Sequence, residues 1–130
     1  SFLIPAGSHV TVDTNESIVF VDAREENEYK VSHIKKAVWV GYDKLNLSKL
    51  KDTHKNQKII VYCSVGYRSE KVSEKLIKQG FNDVSNLDGG IFEWKNRGRP
   101  VYENETQTTE KVHAYDKTWG QWLRRGQKCY

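Results

Sequence analysis

The chain has 130 residues, of which 37% are hydrophobic and 29% charged, and a formal net charge of +4. This length suits one ordinary domain with one core, and no apolar run reaches the ~20 residues of a membrane-spanning helix. The 21 basic and 17 acidic residues are interspersed, so the charge favours small anionic partners over a nucleic-acid-binding surface. We therefore expect a soluble protein that is not embedded in a membrane.

The chain contains only two cysteines, Cys63 and Cys129. A pair this sparse is not the disulfide framework of a small secreted scaffold, and we expect at least one free thiol. The histidines are scattered, and no spacing of cysteine and histidine is typical of a zinc site. The sequence therefore predicts no metal and no cofactor.

The first half of the chain predicts two strands and two short helices. A β-rich apolar run over residues 17–22 stops at a polar residue, as a buried strand does at its carboxyl end. A short helix is predicted over residues 25–30, and a second strand over 37–40 ends at Gly41. The leucines at 45, 47 and 50 indicate a short helix, and a polar loop follows it.

The second half repeats the alternation of strand and helix. Residues 58–63 give the strongest strand pattern, and a helix with Val72, Leu76 and Ile77 on one face ends at Gly80. A strand over 84–87 and a helix beginning near Ile91 come next. This order predicts an α/β fold with an open, mainly parallel sheet and helices on both faces, whose sites form beyond the carboxyl ends of the strands.

The composition changes after Pro100, where residues 103–109 are polar and poor in strand formers. We predict a lead-in segment over 1–16, a domain over 17–100 and an aromatic-rich extension over 101–130. Exposed aromatic area costs about 25 cal/mol per Å², so the extension is expected to pack on the domain. It carries five basic and four acidic residues, too balanced for a stacking groove, and we predict no nucleic-acid partner.

The thiol of Cys63 stands at the predicted end of a buried strand and the mouth of a helix. A helix N-terminus and a nearby cation favour the nucleophilic thiolate. Gly66 lets the loop curl so that successive backbone N–H groups converge on one anionic atom. Arg68 offers forked donors to an oxyanion, unless it pairs with a carboxylate such as Asp22, and Ser69 caps the helix or donates a hydrogen bond.

Three segments together resemble the rhodanese family. The segment Cys63-Ser64-Val65-Gly66-Tyr67-Arg68-Ser69 is similar to its active-site loop. Asp22-Ala23-Arg24, with the Glu-Tyr at 28–29 and the motif at 33–37, resembles its first signature. Residues 86–94, Asn-Leu-Asp-Gly-Gly-Ile-Phe-Glu-Trp, resemble its last, and the likeness runs from about residue 18 to residue 100.

The resemblance implies a rhodanese-like fold and a sulfurtransferase that works by double displacement through a persulfide on Cys63. The implied donor is a small sulfane anion such as thiosulfate, and the acceptor is a thiol, cyanide or a protein. The compartment stays open between a bacterial cytoplasm and a periplasm. The implied substrate-binding residues are Ser64, Val65, Gly66, Tyr67, Arg68 and Ser69, and the implied supports are Asp22 and Arg24.

Two other functions compete with this interpretation. Cysteine-based phosphatases and arsenate reductases of related fold place five residues between cysteine and arginine, whereas four stand between Cys63 and Arg68. The shorter loop favours a single sulfur atom over a tetrahedral oxyanion. A non-catalytic binding module is the other alternative, and the presence of Cys63, Gly66 and Arg68 argues against it. His33 and Cys129 are interpreted as structural or inert.

Overall fold

The computed structural model describes residues 17–130 and the backbone of residues 3–4. Most of the predicted lead-in over 1–16 lies outside these described residues. The structure forms a five-stranded sheet in the spatial order β1 (Leu3–Ile4), β5 (Val84–Leu87), β4 (Lys58–Tyr62), β2 (Ile18–Asp22) and β3 (Val38–Trp39). Every strand pair in it is parallel. The α/β fold with a parallel sheet, predicted from the alternation, is confirmed.

The elements follow the predicted order closely. The sheet strands are β1 (Leu3–Ile4), β2 (Ile18–Asp22), β3 (Val38–Trp39), β4 (Lys58–Tyr62) and β5 (Val84–Leu87). The helices are α1 (Glu26–Val31), a 3-10 turn (Leu47–Leu50), α2 (Tyr67–Lys78), α3 (Gly90–Asn96) and α4 (Lys117–Gly120). The short strands of the extension are β6 (Val101–Tyr102), β7 (Thr108–Thr109), β8 (Lys111–His113) and β9 (Gln127–Cys129).

The central strands bury side chains on both faces of the sheet, because successive residues of a strand point to opposite sides. In β4, Ile59 and Val61 belong to one core cluster, whereas Ile60 and Tyr62 belong to the other. Other parts of the chain pack on both faces of the sheet, so every β4 side chain after Lys58 is at most 1% exposed. This burial on both faces explains why β4 appears in the sequence as a continuous apolar run.

Helix α2 covers one face through Val72 and Leu76, which are 1% and 0% exposed. Ile77, predicted on the same buried face, is 43% exposed, and that prediction is wrong. A residue next to Leu76 is turned by about 100° around a helix with 3.6 residues per turn. The apolar face is therefore narrower than the three residues suggested.

The extension shares the core of the opposite face through aliphatic side chains. Val101, Val112 and Leu123 are at most 1% exposed and belong to the same cluster as Ile60 and Tyr62. Four aromatic residues of the extension remain between 42% and 59% exposed. They are Tyr115, Trp119, Trp122 and Tyr130. Aliphatic rather than aromatic contacts therefore hold the extension. Strand β7 lies at the end of the segment over 103–109, which is polar and poor in strand formers.

Across the described part of the chain, no helix is long and apolar enough to cross a membrane. The same residues contain no group of three or more histidine, cysteine or acidic side chains placed to hold a metal ion.

Candidate active site

Two neighbouring strands bring the predicted site residues to one edge of the sheet. Asp22 ends β2 and pairs in register with Tyr62, which ends β4 and immediately precedes Cys63. The backbone N–H of Ala23 donates to the carbonyl of Tyr62 at 2.9 Å, so the two chain exits stay side by side. Cys63 is 1% exposed and is a free thiol.

The loop after Cys63 curls back onto its own sulfur. The N–H of Gly66 donates to Sγ of Cys63 at 3.0 Å. Gly66 has φ of +120°, which is the conformation that turns this N–H inward and that a side chain would resist. Ser69 Oγ lies 3.5 Å from the same sulfur. Among the successive N–H groups predicted to converge on the sulfur, that of Gly66 makes the hydrogen bond seen in the described residues.

The hydroxyl of Ser69 lies near three hydrogen-bond acceptors. Its oxygen lies 3.0 Å from the carbonyl oxygen of Gly66 and in a very short contact with Oδ1 of Asn86. A hydroxyl carries one hydrogen, so it donates to only one of these three acceptors at a time. The bond from Gly66 is therefore the more dependable of the two contacts to the sulfur.

Helix α3 supports the loop from below. The N–H groups of Ile91 and Phe92 donate to the carbonyls of Cys63 and Ser64 at 2.9 and 3.1 Å. A Cβ added to Gly90 would lie 2.5 Å from the Ser64 carbonyl oxygen and closer still to that of Cys63. The second glycine of the last signature, Gly90, is thus explained, because only glycine lets the first turn of α3 approach the loop so closely.

Arg68 is held by a carboxylate that the sequence analysis did not assign to the site. Its two terminal nitrogens donate to the two oxygens of Glu28 at 2.9 and 2.8 Å, and Nη2 also donates to Ser64 Oγ at 3.0 Å. Burial lowers the pKa of Arg68, but the hydrogen bonds and charge of Glu28 outweigh it and raise that pKa above its ordinary value. The partner suggested from sequence, Asp22, is engaged elsewhere.

Asp22 and Arg24 form another ion pair, which is fully buried, at the same edge of the sheet. Nε and Nη2 of Arg24 donate to the two oxygens of Asp22 at 2.9 and 2.7 Å, and Tyr62 Oη donates to Asp22 at 2.8 Å. Burial lowers the pKa of Arg24, but Asp22 more than compensates and raises it above the ordinary value. Burial, followed by the charge of Asp22, raises the pKa of Tyr62 well above 10.0. This network ties β2 to β4 under the loop.

A cleft of about 380 Å³ opens above the thiol. Its lining residues are Cys63, Ser64, Val65, Tyr67, Arg68, Tyr115 and Trp119. Five of the seven residues predicted for the loop therefore line one cavity. The other two, Gly66 and Ser69, contact the sulfur without lining the cavity. Asp22 and Arg24 do not line it.

Sequence reasoning missed Glu28, Asn86, Tyr115 and Trp119 as neighbours of the loop. Asn86 had a signal in the sequence, because it is a polar residue within the strand pattern and begins the last signature. In the structure its side chain is buried. Glu28 had a signal in the first signature, which contains the Glu-Tyr at 28–29. Its helix alone gives none, since Glu26 stands in the same helix and is exposed. The two aromatic residues reach the cleft from the extension, which no local pattern connects to Cys63.

A buried cysteine at the carboxyl edge of a parallel sheet, followed by a curled loop and a helix, defines a cysteine-loop α/β domain. The chain belongs more specifically to the rhodanese family: residues 11–97 match the model of the rhodanese-like domain. Fold and family therefore agree with the resemblance seen in the three sequence motifs.

Curated relatives match part of the chain. The tRNA uridine(34) hydroxylase of Enterobacter sp. (strain 638) is 37% identical over 86 residues, which are 62% of this chain and 25% of that protein. The tRNA uridine(34) hydroxylase of Photorhabdus laumondii is 32% identical over 90 residues, covering 65% of this chain and 26% of that protein. The chain thus matches about a quarter of the length of these relatives.

Solved structures give the same fold. The BH2092 protein of Bacillus halodurans superposes with a TM-score of 0.62 at 31% identity, covering 71% of this chain and 68% of that one. The rhodanese-like domain of an Anabaena protein gives 0.63 at 25% identity, with coverages of 70% and 69%. A thiosulfate sulfurtransferase from Pseudomonas aeruginosa gives 0.61 at 23% identity over 73% of this chain and 18% of that one. This last likeness concerns the fold alone.

Proposed function

We propose that the chain is a sulfurtransferase that carries sulfane sulfur as a persulfide on Cys63. The observation that carries this proposal is the N–H of Gly66, which donates to the Cys63 sulfur from inside a curled loop. Such a donor stabilises negative charge on sulfur, both in the attacking thiolate and in the persulfide that replaces it. Membership of the rhodanese family supports the same chemistry.

The reaction needs no cofactor. The Cys63 thiolate attacks the outer sulfur of a sulfane donor and forms a new S–S bond, while the bond between that sulfur and the donor breaks. The bonding electron pair leaves with the donor remainder, which is sulfite when the donor is thiosulfate. An acceptor nucleophile then attacks the outer sulfur and regenerates the thiolate.

The test is the intact mass of the reduced protein after exposure to thiosulfate. We expect the mass to rise by one sulfur atom, to fall back when cyanide is added, and to stay unchanged in Cys63→Ser. Cys129→Ser is the matched control, because it removes the other free thiol and should still gain the sulfur. A mass that does not change with thiosulfate, mercaptopyruvate or glutathione persulfide contradicts the proposal.

The same preparation separates the two alternatives. Hydrolysis of p-nitrophenyl phosphate or reduction of arsenate that depends on Cys63 would indicate the oxyanion chemistry of the related phosphatases. Absence of both sulfur transfer and oxyanion chemistry would leave a binding module. The engagement of Arg68 by Glu28 disfavours the phosphatase, because a phosphoryl site needs that arginine to face the substrate.

A second candidate is a sulfur-handling or binding domain that serves a tRNA-modifying enzyme. The observation in its favour is the 37% identity to a domain-sized part of a tRNA uridine(34) hydroxylase. Titration of fluorescently labelled tRNA with the protein tests it at two salt concentrations, since RNA contacts through phosphates weaken as salt rises. Saturable, salt-sensitive binding would overturn the prediction that the chain has no nucleic-acid partner.

A further inference from the structure

The cleft above Cys63 is large for an inorganic donor. Thiosulfate has five heavy atoms, whereas cavities of about 300–1,000 Å³ are typical of sites for organic ligands. The volume of about 380 Å³ above the thiol falls in that range. A donor that fills this space therefore carries an organic group behind the sulfur that it gives.

Three aromatic side chains line the cleft and are available to a ligand. Tyr67, Tyr115 and Trp119 are 66%, 49% and 42% exposed. Large aromatic surfaces are costly to leave in water, and stacking on another ring recovers part of that cost. Their position around one reactive thiol indicates a planar aromatic partner.

Tyr115 is held in place at some conformational cost. Its φ of +68° lies in the left-handed region, which a residue with a bulky side chain rarely adopts. Its backbone N–H donates to Nδ1 of His113 at 3.0 Å, and its ring lies over the guanidinium of Arg68 at 5.1 Å. These contacts hold the backbone at Tyr115 and place its ring at the cleft beside Arg68.

The charge of the cleft does not favour a small dianion. Arg68 is the cationic side chain among the lining residues, and its charge is matched by the bidentate carboxylate of Glu28. Three of its five N–H donors are already used by Glu28 and Ser64. Stacking contacts are therefore better provided for than a second anionic group.

We propose that the cleft selects a sulfur donor that carries an aromatic group behind its transferable sulfur, and that Trp119 contacts that group. The proposal rests on the proposed function, since it concerns the substrate of the Cys63 persulfide reaction. With an aryl thiosulfonate, the Cys63 thiolate attacks the outer sulfur, an S–S bond forms, and the bond to the sulfonyl sulfur breaks. The electron pair leaves with the aryl sulfinate, so no oxidant or reductant is required.

The probes are benzenethiosulfonate and methanethiosulfonate, which present the same reacting sulfur and differ in the group behind it. The measured quantity is the kcat/KM for benzenethiosulfonate divided by the kcat/KM for methanethiosulfonate, with cyanide as the sulfur acceptor. Comparing this ratio between variants removes the different intrinsic reactivities of the two donors. We expect Trp119→Ala to lower the ratio by about tenfold, equivalent to about 1.4 kcal/mol, and Trp119→Phe to retain most of it.

Trp122→Ala is the matched control. Trp122 belongs to the same extension, is 54% exposed, and lines a neighbouring depression rather than the cleft above Cys63. We expect the ratio to stay at the wild-type value in this variant. Far-ultraviolet circular dichroism and the melting temperature of each variant establish that the fold is retained.

The outcomes separate the two proposals. If both donors add sulfur to Cys63 but Trp119→Ala leaves the ratio unchanged, the aromatic selectivity is wrong and the sulfurtransferase stands. An equal fall in Trp122→Ala also overturns the selectivity, because the effect then does not arise in the cleft. If Cys63 gains sulfur from thiosulfate, mercaptopyruvate or glutathione persulfide but from neither thiosulfonate, the selectivity is wrong and the sulfurtransferase stands. If Cys63 gains sulfur from none of these donors, the proposed function fails and the selectivity fails with it.

Discussion

Two arginine–carboxylate pairs stand at the same edge of the sheet and differ in how they meet solvent. Both side chains of the Arg24–Asp22 pair are 0% exposed, whereas those of the Arg68–Glu28 pair are 15% and 2% exposed. The first pair lies under the loop and ties strand ends together. The second lies beside the thiol and borders the cleft.

The difference shows that an arginine–carboxylate pair stabilises the fold in one place and borders the reactive cysteine in the other. A fully buried ion pair contributes little net stability when intact, but losing one partner leaves an uncompensated charge. Arg24 is bound to Asp22 and to the carbonyl of Ser32, contacts that fix the chain exits of β2 and α1. Arg68 instead lines the cleft above Cys63, where its positive charge is matched by the carboxylate of Glu28.

The largest effect is expected when Arg24 is removed. Arg24→Met leaves the Asp22 carboxylate buried without its cation, and we expect a loss of about 3–5 kcal/mol in the free energy of unfolding. Urea denaturation followed by circular dichroism measures it. Arg97→Met is the control, because Arg97 forms a partly exposed pair with Glu93 and should cost about 0.5 kcal/mol. Equal losses in the two variants would contradict the structural role of Arg24.

Glu28→Gln should cost less stability and change the site more. The variant loses charge-assisted hydrogen bonds to Arg68, and we expect a loss of about 2 kcal/mol. The freed guanidinium should attract a dianion, so the KM for thiosulfate is expected to fall in steady-state assays with cyanide. A KM that rises would mean that Glu28 holds the loop in shape rather than neutralising the cleft.

Tyr62→Phe tests the first pair without removing either charge. The hydroxyl of Tyr62 donates to Asp22 at 2.8 Å and accepts from the N–H of Ile34 at 3.1 Å. Its loss leaves that buried N–H unpaired, and we expect a decrease of about 1.5 kcal/mol in the free energy of unfolding. A change below the error of the denaturation curve would show that the hydroxyl is dispensable to the network.

The smallest effect concerns pH and His113, which lies beside the second pair. Burial, together with the nearby Arg24 and Arg68, lowers the pKa of His113 below 6.5 against the opposing charge of Glu28. The unfolded chain therefore takes up the proton at higher pH than the folded one. Stability due to His113 is complete above its unfolded pKa and is lost as pH falls through the folded pKa.

Urea unfolding at pH values from about 7.5 down to 5.5 checks this prediction. The decline in stability should be smaller in His113→Gln than in the wild type. Nδ1 of His113 accepts from the Tyr115 N–H, and Nε2 lies 3.4 Å from Nδ2 of Asn27, so protonation also disturbs Tyr115. His54→Gln, at an exposed position, is the control and should decline as the wild type does. Equal declines in all three proteins would contradict the assignment to His113.

The sheet and the position of Cys63 could be predicted because their signals are local. A continuous apolar strand, a glycine-bearing loop and an amphipathic helix stand next to one another in the sequence, so β4, Cys63 and α2 follow from neighbouring residues. The Asp-Gly-Gly motif likewise marks the close approach of α3 to the loop. These features depend on residues only a few positions apart.

The rest of the site depends on contacts between distant residues. Glu28 meets Arg68 forty positions away, and Tyr115 reaches the same arginine from the extension. Aromatic residues in the extension predicted burial, but Val112 and Leu123 filled the core and left the larger rings outside. Composition gives the apolar area that must be covered. It does not predict which side chains of the extension fit into the hydrophobic core.

The peptide groups flanking Gly66 are fixed on both sides of its Cα. Its N–H points at sulfur, while its carbonyl accepts from the Glu70 N–H at 3.3 Å and from the Asn86 amide at 3.2 Å. The carbonyl therefore resists rotation when the sulfur changes its chemical state. In isotope-labelled protein, the Gly66 amide is a built-in reporter, whose exchange with deuterated solvent and chemical shift follow the occupancy of Cys63.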